Sequence, residues 1–149
     1  MSTAVHPVSR LVGTVLLEFD MDIERGKIRE FARATGSNSP VYLGERAPIP
    51  PTFLISSALW EPDDKPPLIE QLGLDLTRVL QGGQEFRFLG DLPRAGDHLQ
   101  VDVSVESVAS KAGKRGGEMT FVVLLTRYRD SASTVVAEAR ATIIERAQA

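Results

Sequence analysis

The sequence predicts an α+β fold, one curved antiparallel sheet wrapped around a central buried helix. Three observations predict it. The second half of the chain is strand signal: residues 85–89 alternate, Leu99, Val101, Val103 and Val105 alternate with Gln100, Asp102, Ser104 and Glu106, and two long runs follow at 118–129 and 135–144. Those runs are joined by short turns at 93–97, 111–117 and 130–133. Short turns join antiparallel neighbours, because parallel strands need a crossover of about a dozen residues or more. Finally, residues 53–60 (FLISSALW) are apolar nearly all round, and a helix without a polar face must be surrounded by protein.

Taken in order, residues 10–19 (RLVGTVLLEF) read as a strand, apolar on both faces in its second half. Asp22 then suits a helix N-cap, with Glu24 in the first turn where the dipole favours negative charge. Ile28, Phe31, Ala32 and Thr35 fall at helical spacing, Lys27, Arg29, Glu30 and Arg33 take the other side, and Gly36 sits where a C-cap glycine belongs. Residues 37–51 hold four prolines without periodicity, a loop long enough to suggest function. Thr52 caps the apolar helix, and 61–75 is loop with one helical turn at 68–72. The long strands are partly apolar on their outward face, which suggests pairing with a second subunit.

Composition narrows the chemistry. The chain has 149 residues, which suits a single domain over 1–149, and no cysteine, so disulfides, thiolate zinc sites and thiol nucleophiles are excluded. Seventeen basic against twenty acidic residues give a net charge of −3 and argue against a general nucleic-acid binder. No apolar run reaches the length of a membrane span and no signal-peptide pattern opens the chain, so a cytoplasmic protein is expected. No ligand cluster for a metal is visible and no cofactor is implied. The two histidines, His6 and His98, read as a terminal residue without a role and a solvated hairpin-end residue.

Local motifs carry a resemblance. Residues 22–36 (DIERGKIREFARATG), Ser39-Pro40-Val41-Tyr42, 47–53 (APIPPTF) and 80–99 (LQGGQEFRFLGDLPRAGDHL) resemble, in that order, the N-terminal domain of MaoC-like dehydratases, a hot-dog fold. The likeness covers about residues 10–146. It is greatest to the non-catalytic subunits of mycobacterial-type (3R)-hydroxyacyl-ACP dehydratases, which hold the acyl chain while a sister subunit supplies catalysis. The resemblance implies reversible hydration of a trans-2-enoyl thioester. That reaction needs an acid/base group near neutral pKa and donors for the thioester oxygen.

Catalytic members use an aspartate and a histidine in a stretch resembling S-G-D-x-N-P-I-H. The matching stretch here is Thr35-Gly36-Ser37-Asn38-Ser39-Pro40-Val41-Tyr42. Ser37 replaces the aspartate, Ser39 the asparagine and Tyr42 the histidine, and neither hydroxyl type titrates near pH 7 unaided. The frame of the loop is present without its chemistry, so no catalytic residue is assigned.

Tyr42 is expected to line an acyl site. The backbone of Thr52 and Phe53 is a candidate for thioester-oxygen binding or simply a helix start, and Pro51 before them cannot donate. Gln81 and Gly82, with Gln84, stand where the family has a histidine-glycine pair. Lys111, Lys114 and Arg115 form a basic tip that could meet carrier phosphates or merely guard an edge.

The first function implied is therefore the acyl-chain-binding subunit of a dehydratase or hydratase. Its substrate would be an acyl-CoA or acyl-ACP thioester, and its partner a catalytic hot-dog subunit. The alternative is a homodimeric acyl-thioester binding or regulatory protein without turnover. A third, weaker reading is a self-sufficient hydratase using Glu45, Asp63 or Asp64.

Overall fold

The computed structural model describes residues 6–113 and 116–147. Five strands, β1 (Val15–Asp22), β2 (Val79–Phe88), β3 (His98–Ala112), β4 (Glu118–Arg129) and β5 (Val135–Glu145), form one antiparallel sheet in the order β1-β3-β4-β5-β2. The hairpins β3–β4 and β4–β5 follow the expected turns. In the second, the Asp130 carboxylate accepts from the Ala132 and Thr134 N–H groups, both at 2.9 Å. This closes a turn in which Ser133 takes a φ of 63°.

The join at 93–97 is a correction. It is not a hairpin, because β2 pairs with β5 while β3 lies between β1 and β4. The segment carries the chain from one side of the sheet to the other, and its backbone groups find partners there. Ile49 donates to Pro93 O at 3.0 Å, Ala95 to Ala47 O at 2.9 Å and Gly96 to Ile23 O at 2.8 Å. A short spacing between strands sets how far the chain can travel, not which strand it meets.

β1 starts at Val15, later than the strand expected over residues 10–19, and Pro7–Leu11 ahead of it is a 3-10 turn. Helix α1 (Arg25–Ala34) begins after Glu24, not Asp22. Asp22 is instead the last residue of β1, opposite His98. Ile28 and Ala32 are buried and Phe31 is half-buried, while Gly36 follows the helix at a φ of 79° as a C-cap glycine should. Thr35 faces solvent and returns its hydroxyl to Phe31 O at 3.0 Å. The helical turn expected near residue 70 is α2 (Leu68–Gln71).

The all-round apolar segment Phe53–Trp60 is helical but of 3-10 type, and it is only half enclosed. Phe53, Leu54 and Ser57 are buried, whereas Ile55 is 50% and Leu59 82% exposed. Prolines 50, 51 and 62 confine it, and the Ser56 hydroxyl bonds back to Phe53 O at 2.7 Å. The expected central helix is thus present as a 3-10 segment that turns Phe53, Leu54 and Ser57 into the core and leaves Ile55 and Leu59 uncovered by this chain.

The concave side of the sheet holds two clusters. At one end Met21, Ile23, Leu99, Val101 and Tyr128 meet Ile28 of α1 and Phe53 and Leu54. At the other, Leu17, Val103, Val105, Val122, Leu124 and Ile143 meet Val8, Leu72 and Leu74.

Candidate functional site

The candidate site lies at the first of these ends, where α1 runs into the Thr35–Leu43 stretch. Ser39, Pro40, Val41 and Tyr42 form a 3-10 turn, Pro40–Leu43, within what the sequence suggested was unstructured loop. The two serine oxygens of the matching stretch each accept a local backbone N–H. Ser37 Oγ accepts from the Ser39 N–H at 3.3 Å, and Ser39 Oγ from the Val41 N–H at 3.4 Å. Tyr42 is half-buried, packed against the cluster that contains Phe31 and Phe53. Its edge borders a cleft of about 260 Å³ shared with Arg25, Gly26, Arg29 and Leu43. The Arg25 guanidinium is fixed at that rim by a 2.9 Å bond to Leu43 O.

The central segment is tied to the sheet by a buried hydroxyl pair. Tyr128 OH lies 2.9 Å from Ser57 Oγ and donates to Leu54 O at 3.2 Å. Burial pushes the Tyr128 phenol up to about 12, against the lowering effect of Ser57. This group stays neutral at any physiological pH and serves structure. Thr52 is exposed and its side chain caps nothing. The Phe53 N–H donates to Pro50 O at 3.0 Å, so that donor is already committed.

Other candidates are scattered. Gln81 and Gly82 lie inside β2 rather than ahead of a strand, at a bulge between Gln81 and Gly83. A Cβ on Gly82 would come within 2.6 Å of the Ile144 side chain, and the Gln81 amide closes on Gly83 O at 2.7 Å. Lys111 Nζ sits 5.1 Å from the centre of the Phe121 ring, a cation–π contact. Lys114 and Arg115 lie outside the described residues. Glu45, Asp63 and Asp64 are exposed. Glu61, which ends the 3-10 segment, is half-buried, and burial holds its carboxyl above the ordinary value. No sequence pattern marked it, because its environment comes from the fold.

The histidines correct two expectations. His6 is not without a role: Nε2 lies 3.1 Å from the carboxylate of Glu145, which is 5% exposed. Glu145 also accepts from the Asp75 N–H at 2.7 Å and Arg78 at 3.0 Å. His98 is half exposed but clamped, 2.7 Å from Asp22 and 3.2 Å from Asp20. The Asp22 hydrogen bond raises its pKa above the usual value. Among the described residues no group of three or more His, Cys, Asp and Glu could hold a metal, and no helix is long and apolar enough to cross a membrane.

A five-stranded antiparallel sheet curled over a short central segment, with α1 and its loop at one end, defines a hot-dog fold of the MaoC-like dehydratase type. The chain belongs to the FAS1-like, dehydratase domain region family, which it matches over residues 10–139.

Its relatives include a UPF0336 protein of Streptomyces griseus, 39% identical over 104 residues. That match covers 62% of this chain and 66% of the relative, just under two thirds. A UPF0336 protein of Cutibacterium acnes is 36% identical over 74% of this chain and 75% of its own length. A probable enoyl-CoA hydratase alpha subunit of Thermomonospora curvata is 30% identical over 76% of this chain and 41% of that protein.

Among solved structures, the ChsH1-ChsH2 complex of Mycobacterium tuberculosis superposes with a TM-score of 0.72 at 15% identity, over 95% of this chain and 90% of that one. The HadBC (3R)-hydroxyacyl-ACP dehydratase complex of the same organism gives 0.63 at 23% identity, over 86% and 94%. The relationship is to dehydratases and hydratases as a family.

Proposed function

We propose that this chain is the non-catalytic, acyl-chain-binding subunit of a (3R)-hydroxyacyl-thioester dehydratase or enoyl-thioester hydratase of fatty-acid or polyketide-type metabolism. Its acid/base pair would come from a hot-dog partner. The observation that carries this reading is a loop with the family's frame and altered chemistry. The stretch from Thr35 to Tyr42 follows α1 as the family motif does, yet Ser37 and Tyr42 stand where catalytic members have aspartate and histidine, and the oxygens of Ser37 and Ser39 each accept a local backbone N–H.

A partner is supported by uncovered apolar surface beside the motif. Val41, Leu43, Ile55 and Leu59 are each about half exposed or more, in a region where a lone chain would leave them in water. At roughly 25 cal/mol per Å² of apolar area covered, burying these four side chains would contribute several kcal/mol to association. Tyr42 and the exposed Thr52 are proposed as contacts of the thioester arm at this end of the sheet, whereas Gln81 and Gly82 stand opposite the far end of β5.

The test is loss of enoyl-thioester absorbance with short and long trans-2-enoyl-CoA, using this chain alone and with a hot-dog subunit that carries the intact Asp/His motif. No turnover alone and turnover with the partner is the expected result. Robust turnover by the single chain would overturn it, and Glu61→Gln would then ask whether the half-buried carboxyl supplies the base. In the same assay Ser37→Asp with Tyr42→His should give the isolated chain measurable hydration, since it restores both titrating groups to one loop.

A further inference from the structure

Several arginines of the sheet and its loops are neutralised: Arg129 and Arg127 on Asp102, Arg140 on Glu106 at 2.8 Å and Glu138 at 3.1 Å, Arg46 on Asp97 and Arg78 on Asp75 and Glu145. Those on α1 are not. Arg25, Arg29 and Arg33 recur every four residues, so they form one stripe about 12 Å long on the exposed face of the helix. Among the described residues no carboxylate pairs with any of the three; the helix's own Glu30 is taken by Lys27 at 3.2 Å.

The sequence Arg25–Ala34 carries four basic and one acidic residue, a local charge of +3 in a chain of net −3. Helix stability accounts only for Arg33, in the last turn; Arg25 and Lys27 stand in the first turn, where the dipole disfavours positive charge. The stripe also leads to the candidate site, since Arg25 and Arg29 border the cleft closed by Tyr42 and Leu43.

We propose that α1 is the docking surface for an acidic carrier protein, which presents the thioester on a phosphopantetheine arm whose phosphate enters the cleft at Arg25, Arg29 and Tyr42. This rests on the reading of the chain as an acyl-thioester subunit and names the partner of that same site. The shape favours a protein over free coenzyme A. Small-molecule pockets usually offer about 300–1,000 Å³, and this cleft of about 260 Å³ has no second aromatic wall for an adenine. A 12 Å row of guanidiniums on an outward helix face instead matches an extended acidic surface, which it would steer and orient.

The experiment measures binding, so it stands whether or not turnover with a partner is ever seen. A fluorescently labelled holo acyl carrier protein is titrated with the full chain at about 50 mM and about 300 mM salt, a range over which screening shortens markedly. Binding at low salt that weakens at high salt is expected. Arg29→Glu with Arg33→Glu, two exposed residues outside any ion pair found among the described residues, should weaken it about tenfold or more, and Arg29→Gln with Arg33→Gln less. Lys111→Glu on the hairpin should leave it within about twofold.

No binding by the wild-type chain, salt-insensitive binding, or a loss confined to Lys111→Glu would each overturn the proposal. So would equal binding of free coenzyme A with the same arginine dependence. Unfolding midpoints of the variants within a degree or two of wild type show that the loss is not one of folding.

Discussion

The two ends of β5 bury opposite kinds of chemistry. Near its start, Ala137 packs in the cluster built on Tyr128, Phe53 and Leu54, where the polar contacts are neutral: a phenol, a serine hydroxyl and a backbone carbonyl. At its last residue, about 27 Å further along at the usual strand rise, Glu145 is a buried carboxylate held by His6, Arg78 and the Asp75 N–H. Perturbed and buried ionisable groups commonly mark active sites. Here the stretch proposed as the site is at the neutral end, and the polar cluster of His6, Arg78 and Glu145 joins the first described residues to the last strand. Buried charge alone points to the end away from that proposed site.

The comparison breaks most readily at its neutral end. Phe53 is 1% exposed and meets Phe31 edge-on with ring centres 5.4 Å apart. Phe53→Ala should cost about 3–5 kcal/mol, the usual range for a buried aromatic truncated to alanine, read from urea unfolding. A loss under about 1 kcal/mol would mean that the 3-10 segment is not anchored in the isolated chain and needs its partner to settle.

At the charged end, Glu145→Ala strands the Asp75 N–H and removes the acceptor shared by His6 and Arg78. A loss of about 2–4 kcal/mol is expected. Glu145→Gln should recover part of it, because the amide oxygen still accepts from Asp75. If both variants lose nothing, the cluster is not a tie between the termini.

How much of this was readable beforehand follows the range of the interactions. The long strand runs gave β4 and β5 nearly to the residue, the alternation at 99–106 gave the first half of β3 but not its continuation to Ala112, and the 3.6-residue pattern gave α1, because local patterning reports which face is covered. Strand order was not readable at residues 93–97, since the backbone partners of that segment come from Ala47, Ile49 and Ile23, some 45 to 70 residues away. The altered motif at Ser37, Ser39 and Tyr42 was legible as sequence. Its hydrogen bonding was not, nor were the raised Glu61 carboxyl and the His6–Glu145 contact, which exist only once distant segments are assembled. The arginine stripe was half visible: helical spacing put Arg29 and Arg33 on one side, but its place beside the cleft at Tyr42 came only with the fold.

Tyr128→Phe gives a smaller effect. It leaves Ser57 without its partner and one backbone acceptor short, so about 1–2 kcal/mol should be lost. Ser57→Ala alone should cost less, because the phenol keeps Leu54 O. A double-mutant cycle between them measures the coupling; additivity would mean that the pair is incidental to the anchoring of the 3-10 segment.

The smallest expected effect lies on the surface of the neutral end, where His98 is clamped by the carboxylates of Asp22 and Asp20. Its pKa is raised in the folded protein, chiefly by the Asp22 hydrogen bond. A histidine whose folded pKa exceeds its unfolded value of about 6.5 contributes stability that is complete below that value and is lost as pH rises through the folded pKa. His98→Gln should therefore lower the unfolding midpoint near pH 5.5 and make little difference near pH 9, with the crossover lying above about 6.5. The ring is half exposed and screened, so the shift stays small. An NMR titration of the His98 ring proton supplies the sharper reading: Asp22→Asn should move the midpoint down further than Asp20→Asn does. Equal shifts would mean that the two carboxylates act as a diffuse field rather than through the 2.7 Å bond that joins the last residue of β1 to the first of β3.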